Sequence, residues 1–164
     1  MIQFEDIELA LATGLRAALG IKVIDLNPSA EAPKYPFLTY DVAMPFDETI
    51  GHPVKTAEVN TITLSETALF MVSIQAYAKT KEEARTYALR ARDWFIGSGH
   101  DILKDGVGIV VVTIGQVDNR EVQVGDEWER KFGFDVDFRT TNTIVMNGQS
   151  TIEATNIKEV DPIA

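Results

Sequence analysis

Between Glu66 and Ile96 the hydrophobic period of the chain changes from two to about 3.6, and this change restricts the possible folds more than any other feature. In ETALFMVSIQAYAK (Glu66–Lys79), Phe70, Val72, Ile74, Ala76 and Ala78 share one face. Leu69, Met71, Ser73, Gln75, Tyr77 and Lys79 share the other, which turns polar toward its end. The alternation predicts a strand with one buried face. Thr80 and Glu83 then have the spacing of a capping box, which satisfies the first free N–H groups of a helix. Ala84, Tyr87, Ala88, Ala91, Trp94 and Phe95 follow at helical spacing, with Arg85, Arg90, Arg92 and Asp93 on the opposite side. Gly97 and Gly99 are expected to stop that helix. A strand thus feeds directly into a helix whose apolar stripe folds back over it, and Ala84, Ala88 and Ala91 permit close approach.

This unit needs partners to bury its faces, and 164 residues can supply them within one domain. A chain of this size buries roughly 70% of its unfolded surface. With 45% hydrophobic and 24% charged residues the composition is globular. The absence of cysteine excludes disulfides, thiolate metal sites and cysteine nucleophiles. No apolar run reaches the length of a membrane span, and MIQFEDIELA lacks a basic signal-peptide start, so the expected setting is a cytoplasm. A net charge of −10 argues against gripping nucleic acid by its phosphates.

Along the chain, Asp6–Leu19 reads as a helix ended by Gly20, with Gly14 expected at a close helix–sheet contact. Ile21–Ile24 is a short apolar piece and Asn27–Tyr35 a loop. Phe37–Met44 alternates as a strand that Pro45 should end. Residues 46–58 are polar and aperiodic, which predicts a loop that is mobile or held by a partner. Val59–Leu64 is β-rich and reads as the returning half of a hairpin that continues into the central strand. Val107–Val117 reads as a buried strand and Asp118–Gly125 as a turn region. In Trp128–Arg139, Phe132, Phe134, Val136 and Phe138 alternate with charged residues. Asn147-Gly148 is a hairpin signal between Ile144–Met146 and the apolar Ile152, Ala154 and Ile157. The expected architecture is α+β: a mostly antiparallel sheet of four to five strands with two helices on one face, residues 1–142 forming the domain and 143–164 a C-terminal hairpin or arm.

Catalytic patterns are missing. His52 and His100 have no second histidine at ligand spacing, and no P-loop, G-x-G-x-x-G, G-x-S-x-G or H-E-x-x-H occurs. Asp135 and Asp137 could share a cation, but interleaving with Lys131 and Arg139 reads as a solvated sheet face. The basic flank Arg85, Arg90 and Arg92 reads the same way. No enzyme, cofactor or metal site is expected.

The segments YPFLTYD (Tyr35–Asp41), ARDWF (Ala91–Phe95), GIVVVTIGQVDNRE (Gly108–Glu121) and DEWERKFGFDVDFR (Asp126–Arg139) resemble the phage neck and tail-terminator family of long-tailed phages and phage-tail-like particles. The resemblance spans roughly residues 7–140 and rests on structural motifs. It implies an α+β subunit that assembles as a ring, commonly a hexamer. Such a ring caps the head-proximal end of the tail tube, stops tube growth and joins the neck. The implied partners are further copies of the chain, the tail tube protein, the sheath where one exists, and a neck or connector protein. DNA would pass through without specific binding, in a virion neck or tail assembled in a bacterial cytoplasm. A head-completion or connector adaptor on the portal side is the alternative, and a small-molecule-binding domain or enzyme the distant one. Under the ring reading, Glu127, Glu129, Lys131, Asp135, Asp137 and Arg139 are the candidates to face the lumen. Ile50, Val54, Ile144, Met146 and Ile152 are the candidates to touch the tube or a neighbour.

Overall fold

The computed structural model describes residues 1–26, 29, 31–47 and 52–147. The described elements are helices α1 (Phe4–Leu19), α2 (Lys81–Ile96) and α3 (Ser98–Val107), and strands β1 (Lys22–Asp25), β2 (Phe37–Asp47), β3 (Val54–Glu58), β4 (Thr61–Ala78), β5 (Val110–Ile114), β6 (Asp118–Asn119), β7 (Val122–Val124) and β8 (Glu127–Asn147). Their backbone is one mixed sheet of order β1-β2-β4-β8-β5, with β3 on β4 and β6 and β7 on β8. Only β1 on β2 is parallel; the remaining pairs are antiparallel.

The centre of the sheet is the β4–β8 pair, in unbroken register from Thr61↔Asn147 to Ala78↔Arg130. On one face of this pair Phe70, Val72, Ile74 and Ala76 lie opposite Phe138, Val136, Phe134 and Phe132, and all are buried. Covering each of the larger of these side chains contributes about 1.5–3 kcal/mol relative to exposure. The three helices supply the cover. Ile7, Leu11, Leu15 and Leu19 of α1, Ala84, Ala88, Ala91, Trp94 and Phe95 of α2 and Leu103 of α3 join the same core. Phe95 meets Phe134 and Phe138 edge-on. The N-cap half of the capping box forms, with Thr80 Oγ1 accepting from the Glu83 amide at 3.2 Å. The returning strand expected at Val59–Leu64 is the start of β4, but its hairpin partner is β3, within the segment expected to be loop, and the turn carries Asn60 at φ 63°.

Several expectations need correction. The sheet has eight strands and the helices number three among the described residues. Gly97 does end α2, but α3 begins at Ser98. Two glycines inside α3 each weaken it by about 1 kcal/mol relative to alanine, so local propensity hides the helix. Packing restores it: a Cβ at Gly99 would collide with the Trp94 indole, and so would one at Gly14. Gly14 therefore marks a close contact between α1 and α2, not one between helix and sheet. Pro45 does not end β2, which continues to Asp47 through register shifts around Met44. Beyond Tyr40 no described strand pairs with that edge of β2, and an edge strand tolerates proline. Val54–Glu58, expected to be ordered only by a partner, pairs with Thr61–Ser65 of its own chain. All five of its residues are exposed, so backbone bonds hold this strand and no burial pattern announced it. β5 is half-exposed where a buried strand was expected, and Asp118–Gly125 contains β6 and β7. β8 passes through 142/143 and stays paired to Asn147. The expected hairpin at Asn147-Gly148 and residues 148–164 lie outside the described residues.

Candidate functional site

The described residues include no group of three His, Cys, Asp or Glu side chains able to hold a metal ion. His52 is exposed, and His100 approaches only the adjacent Asp101, at 3.2 Å on the surface. No described helix is long and apolar enough to cross a membrane. The features with functional content are surfaces: the sheet face without helices, and the two ends of the long β4–β8 ribbon.

On the open face the strands align in rows. Phe37, Tyr77 and Lys131 form one row, Thr39, Gln75 and Gly133 the next, then Asp41, Ser73 and Asp135. Met71 and Asp137 follow, then Leu69 and Arg139. Lys131, Asp135, Asp137 and Arg139 thus share the face opposite the helices, as alternation predicts. Their surroundings differ from a bare charged wall. Arg120, from the segment between β6 and β7, lies over Gly133. Its guanidinium donates to Ser73 Oγ at 2.9 Å and to Asp135 Oδ2 at 3.2 Å. A side chain at 133 would collide with the Ile74 carbonyl and the Arg120 stem, so glycine there gives the arginine its seat. Lys131 bonds Glu129 at 2.9 Å and stands 5.5 Å from the Tyr77 ring centre. Tyr77 stacks on Phe37 at 4.7 Å, and Phe37 on Tyr35 at 5.5 Å. Burial pushes the Tyr77 hydroxyl upward in pKa, opposed by Lys131. Arg120 adds a positive charge to this face from a separate segment and leaves no trace in the β8 alternation. Asp137 and Arg139 remain exposed.

At one end of the ribbon, β8 starts in a hairpin with β7, Val124↔Glu127, turned by Gly125 at φ 63° and Asp126. Glu127 is exposed there. Trp128 is 52% exposed, and Arg130 lies 5.8 Å from its ring centre while bonding Glu121 at 3.2 Å. The β8 alternation drew attention to the carboxylates and passed over this tryptophan.

At the other end, β3, β4 and β8 form a three-stranded arm from residues 54–65 and 143–147. Ile144 is 46% exposed, Met146 41% and Val54 68%. Ile144 lies opposite Leu64 and Met146 opposite Ile62, on the face that carries Phe70 and Val72 farther along. Val54 lies opposite Ser65, on the other face. The structure therefore separates Val54 from Ile144 and Met146. Ile50 and Ile152 lie outside the described residues. Between α1 and α3, beside Thr140 of β8, lies an open groove of about 750 Å³ lined by Leu9, Ala10, Gly14, Ile102, Val107 and Thr140.

Among the described residues the candidates are therefore an open sheet face and two exposed ribbon ends. The profile of the phage neck terminator protein family matches residues 9–163, and the chain belongs to that family. The family is structural and not enzymatic, and its place is the phage neck or tail. No curated protein matches the sequence. Among solved structures, one matches at 15% identity over 84% of this chain and 92% of its own, with a TM-score of 0.42.

Proposed function

We propose that this chain forms a ring, a hexamer in the simplest case, at the head-proximal end of a phage or phage-like tail tube. The ring stops tube polymerisation and joins the tail to the neck. The observation that carries the reading is a family of neck terminators combined with a sheet whose second face bears Asp135, Asp137 and Arg139 and no helix. A sheet face left polar inside a large assembly suits the wall of a water-filled passage. Glu127, Glu129, Lys131, Asp135, Asp137 and Arg139 line that passage in this proposal, with Arg120 joining them. The wall alternates both signs with an acidic excess in a chain of net charge −10, so it repels phosphates mildly and DNA slides past without adhering. The partners are other copies, the tube protein and the neck; the body of the domain builds the ring, and residues 143–164, whose first five continue β8, reach a neighbour.

The test is tail assembly in cells that lack the protein. The ring reading requires tubes of unregulated length without it and of uniform length when it is restored, measured in negative-stain images. Uniform tails in its absence, joined normally to heads, would sink it. For the wall, Asp137→Lys should slow DNA ejection most at low salt, where screening is weakest; ejection at the wild-type rate there removes the lumen assignment and leaves the ring intact.

A further inference from the structure

The groove between α1 and α3 is open and apolar. Asp6 is the one residue along its lining with an ionisable side chain. Leu9 is 68% exposed there and Ile102 49%, so each helix presents a large apolar side chain that no described residue covers. Ala10, Gly14 and Ala17 keep α1 small along the floor, which leaves room for the side chains of another segment. Thr140 and Thr141 of β8 stand with Met1 at the end of the groove nearest the arm, where the Met1 ammonium donates to the Thr143 carbonyl at 2.6 Å.

We propose that residues 149–164 of the free chain lie in this groove on the same molecule, and that they leave it when the subunit enters a ring. The release step rests on the ring reading, in which these residues reach a neighbour; the groove contact does not. Reach is the first argument. β8 runs to Asn147, beyond Thr141 at the groove, and the distance between them along the strand is about 20 Å. Residues 149–164 span roughly 50 Å when extended. A turn at Asn147-Gly148, where the sequence carries a hairpin signal, therefore brings them back over the groove with length to spare. Composition is the second. Ile152, Ala154, Ile157, Val160 and Ile163 supply apolar side chains for the groove, and Lys158, the only base of the segment, complements Asp6. The family profile also runs to residue 163, so the segment belongs to the region that the family shares. Tethering decides between this occupant and a foreign one. A segment on a short linker acts at an effective concentration of order 1 mM, so a contact with a Kd of about 0.1 mM is roughly nine-tenths occupied within the molecule. An untethered partner of equal affinity must exceed that concentration to displace it.

The chain has no cysteine, so a pair of introduced thiols reports the contact without interference. The experiment oxidises the full chain carrying Leu9→Cys and Ile157→Cys at low protein concentration. A second pair, Ile102→Cys with Ile157→Cys, repeats the measurement from α3. The reference is Val124→Cys with Ile157→Cys, since Val124 is 61% exposed in the hairpin at the opposite end of β8. Both groove pairs should close within one molecule about tenfold faster than the reference, or more, as a local concentration of that segment requires. Equal rates overturn the groove contact. Disulfides that join separate molecules also overturn it, because the occupant then comes from another copy. Release is tested by adding the oxidised and the reduced Leu9 variant to growing tail tubes. The reduced chain should give tubes of uniform length, and the oxidised chain tubes of unregulated length until a reductant is added. Oxidised chain that limits length as well as reduced chain overturns release. Wild-type chain that also fails to limit length removes the ring reading and release with it; the groove contact, judged by the disulfide rates alone, stands in that case.

Discussion

The two ends of β8 belong to one strand and one register, yet they present opposite chemistry. At its start, Glu127–Lys131 carries charge at four of five positions, and its neighbours are tied by ion pairs: Arg130 to Glu121 and Lys131 to Glu129. At its finish, Thr143–Asn147 carries none. Between them lies the phenylalanine stretch that the helices cover. The difference teaches that β8 does two kinds of work. Its middle builds the core, where each side chain is fixed by packing. Its ends extend beyond the helix cover, where composition is free of packing demands and is available for contacts with other molecules. A charged end suits a contact that salt and pH can adjust. A neutral, half-apolar end suits a contact that water drives.

The largest expected effect tests the division between middle and ends. Phe134→Ala removes a fully buried ring that meets Phe95, and should destabilise the protein by about 3–5 kcal/mol. Ile144→Ala on the arm should lower stability by no more than about 1 kcal/mol, because the side chain is half-exposed. Urea unfolding of the two variants measures both. Comparable losses would show that the arm is part of the folding core and that the contrast is false.

A smaller effect is expected on the open face opposite that core. Gly133→Ala places a Cβ against the Ile74 carbonyl and the Arg120 stem, which should destabilise by about 1–3 kcal/mol. Arg120→Ala leaves room at 133 but removes the bonds to Ser73 and Asp135. Because the pair is partly exposed, the expected loss is about 1 kcal/mol or less. In the double variant the two losses should add to less than their sum, since the arginine is the atom group the new methyl meets. Full additivity in thermal melts would mean that the Ile74 carbonyl alone sets the cost at Gly133.

Much of this arrangement was legible from residue order. The period-two run at Phe70–Ala78, the capping box at Thr80 and Glu83, and the aromatic face of Phe132–Phe138 each carry a local signal that matches the burial they acquire. The misses share a physical cause. β3 is held by backbone bonds with every side chain exposed, so it has no hydrophobic period. α3 contains two glycines and survives through packing against Trp94, which lies on another helix. On the open face, the charged residues of β8 were found by alternation, but Arg120 and the Tyr35–Phe37–Tyr77 stack come from segments far apart in sequence. Periodicity reports what one element does with its own faces. It is silent on what another element lays across them.

The smallest effect concerns the charged end alone and follows from Glu121. Burial of this carboxyl works against its ionisation, but the bonds donated by Asn119 and Arg130 outweigh it and hold its pKa below the ordinary glutamate value. A depressed carboxyl contributes stabilisation that is fully present above its unfolded value and is lost as pH falls through its folded value. The hairpin should therefore loosen only in acid, below the ordinary glutamate range. Arg130 also faces the Trp128 ring, so its release should change the environment of that indole. Trp94 is nearly buried and Trp128 is half-exposed, so emission quenched by a polar quencher reports mainly on Trp128. Acid titration should show a shift in quenchable emission that precedes global unfolding, and Glu121→Gln should abolish the shift. The arm, which takes no part in the Glu121–Arg130 pair, should keep its amide exchange rates, corrected for pH, through the same interval. A shift centred at or above the ordinary glutamate range, or one that persists in Glu121→Gln, would assign the titration to another carboxylate of the hairpin. An arm that loosens together with the hairpin would show that the two ends of β8 are coupled through its core and do not act as separate surfaces.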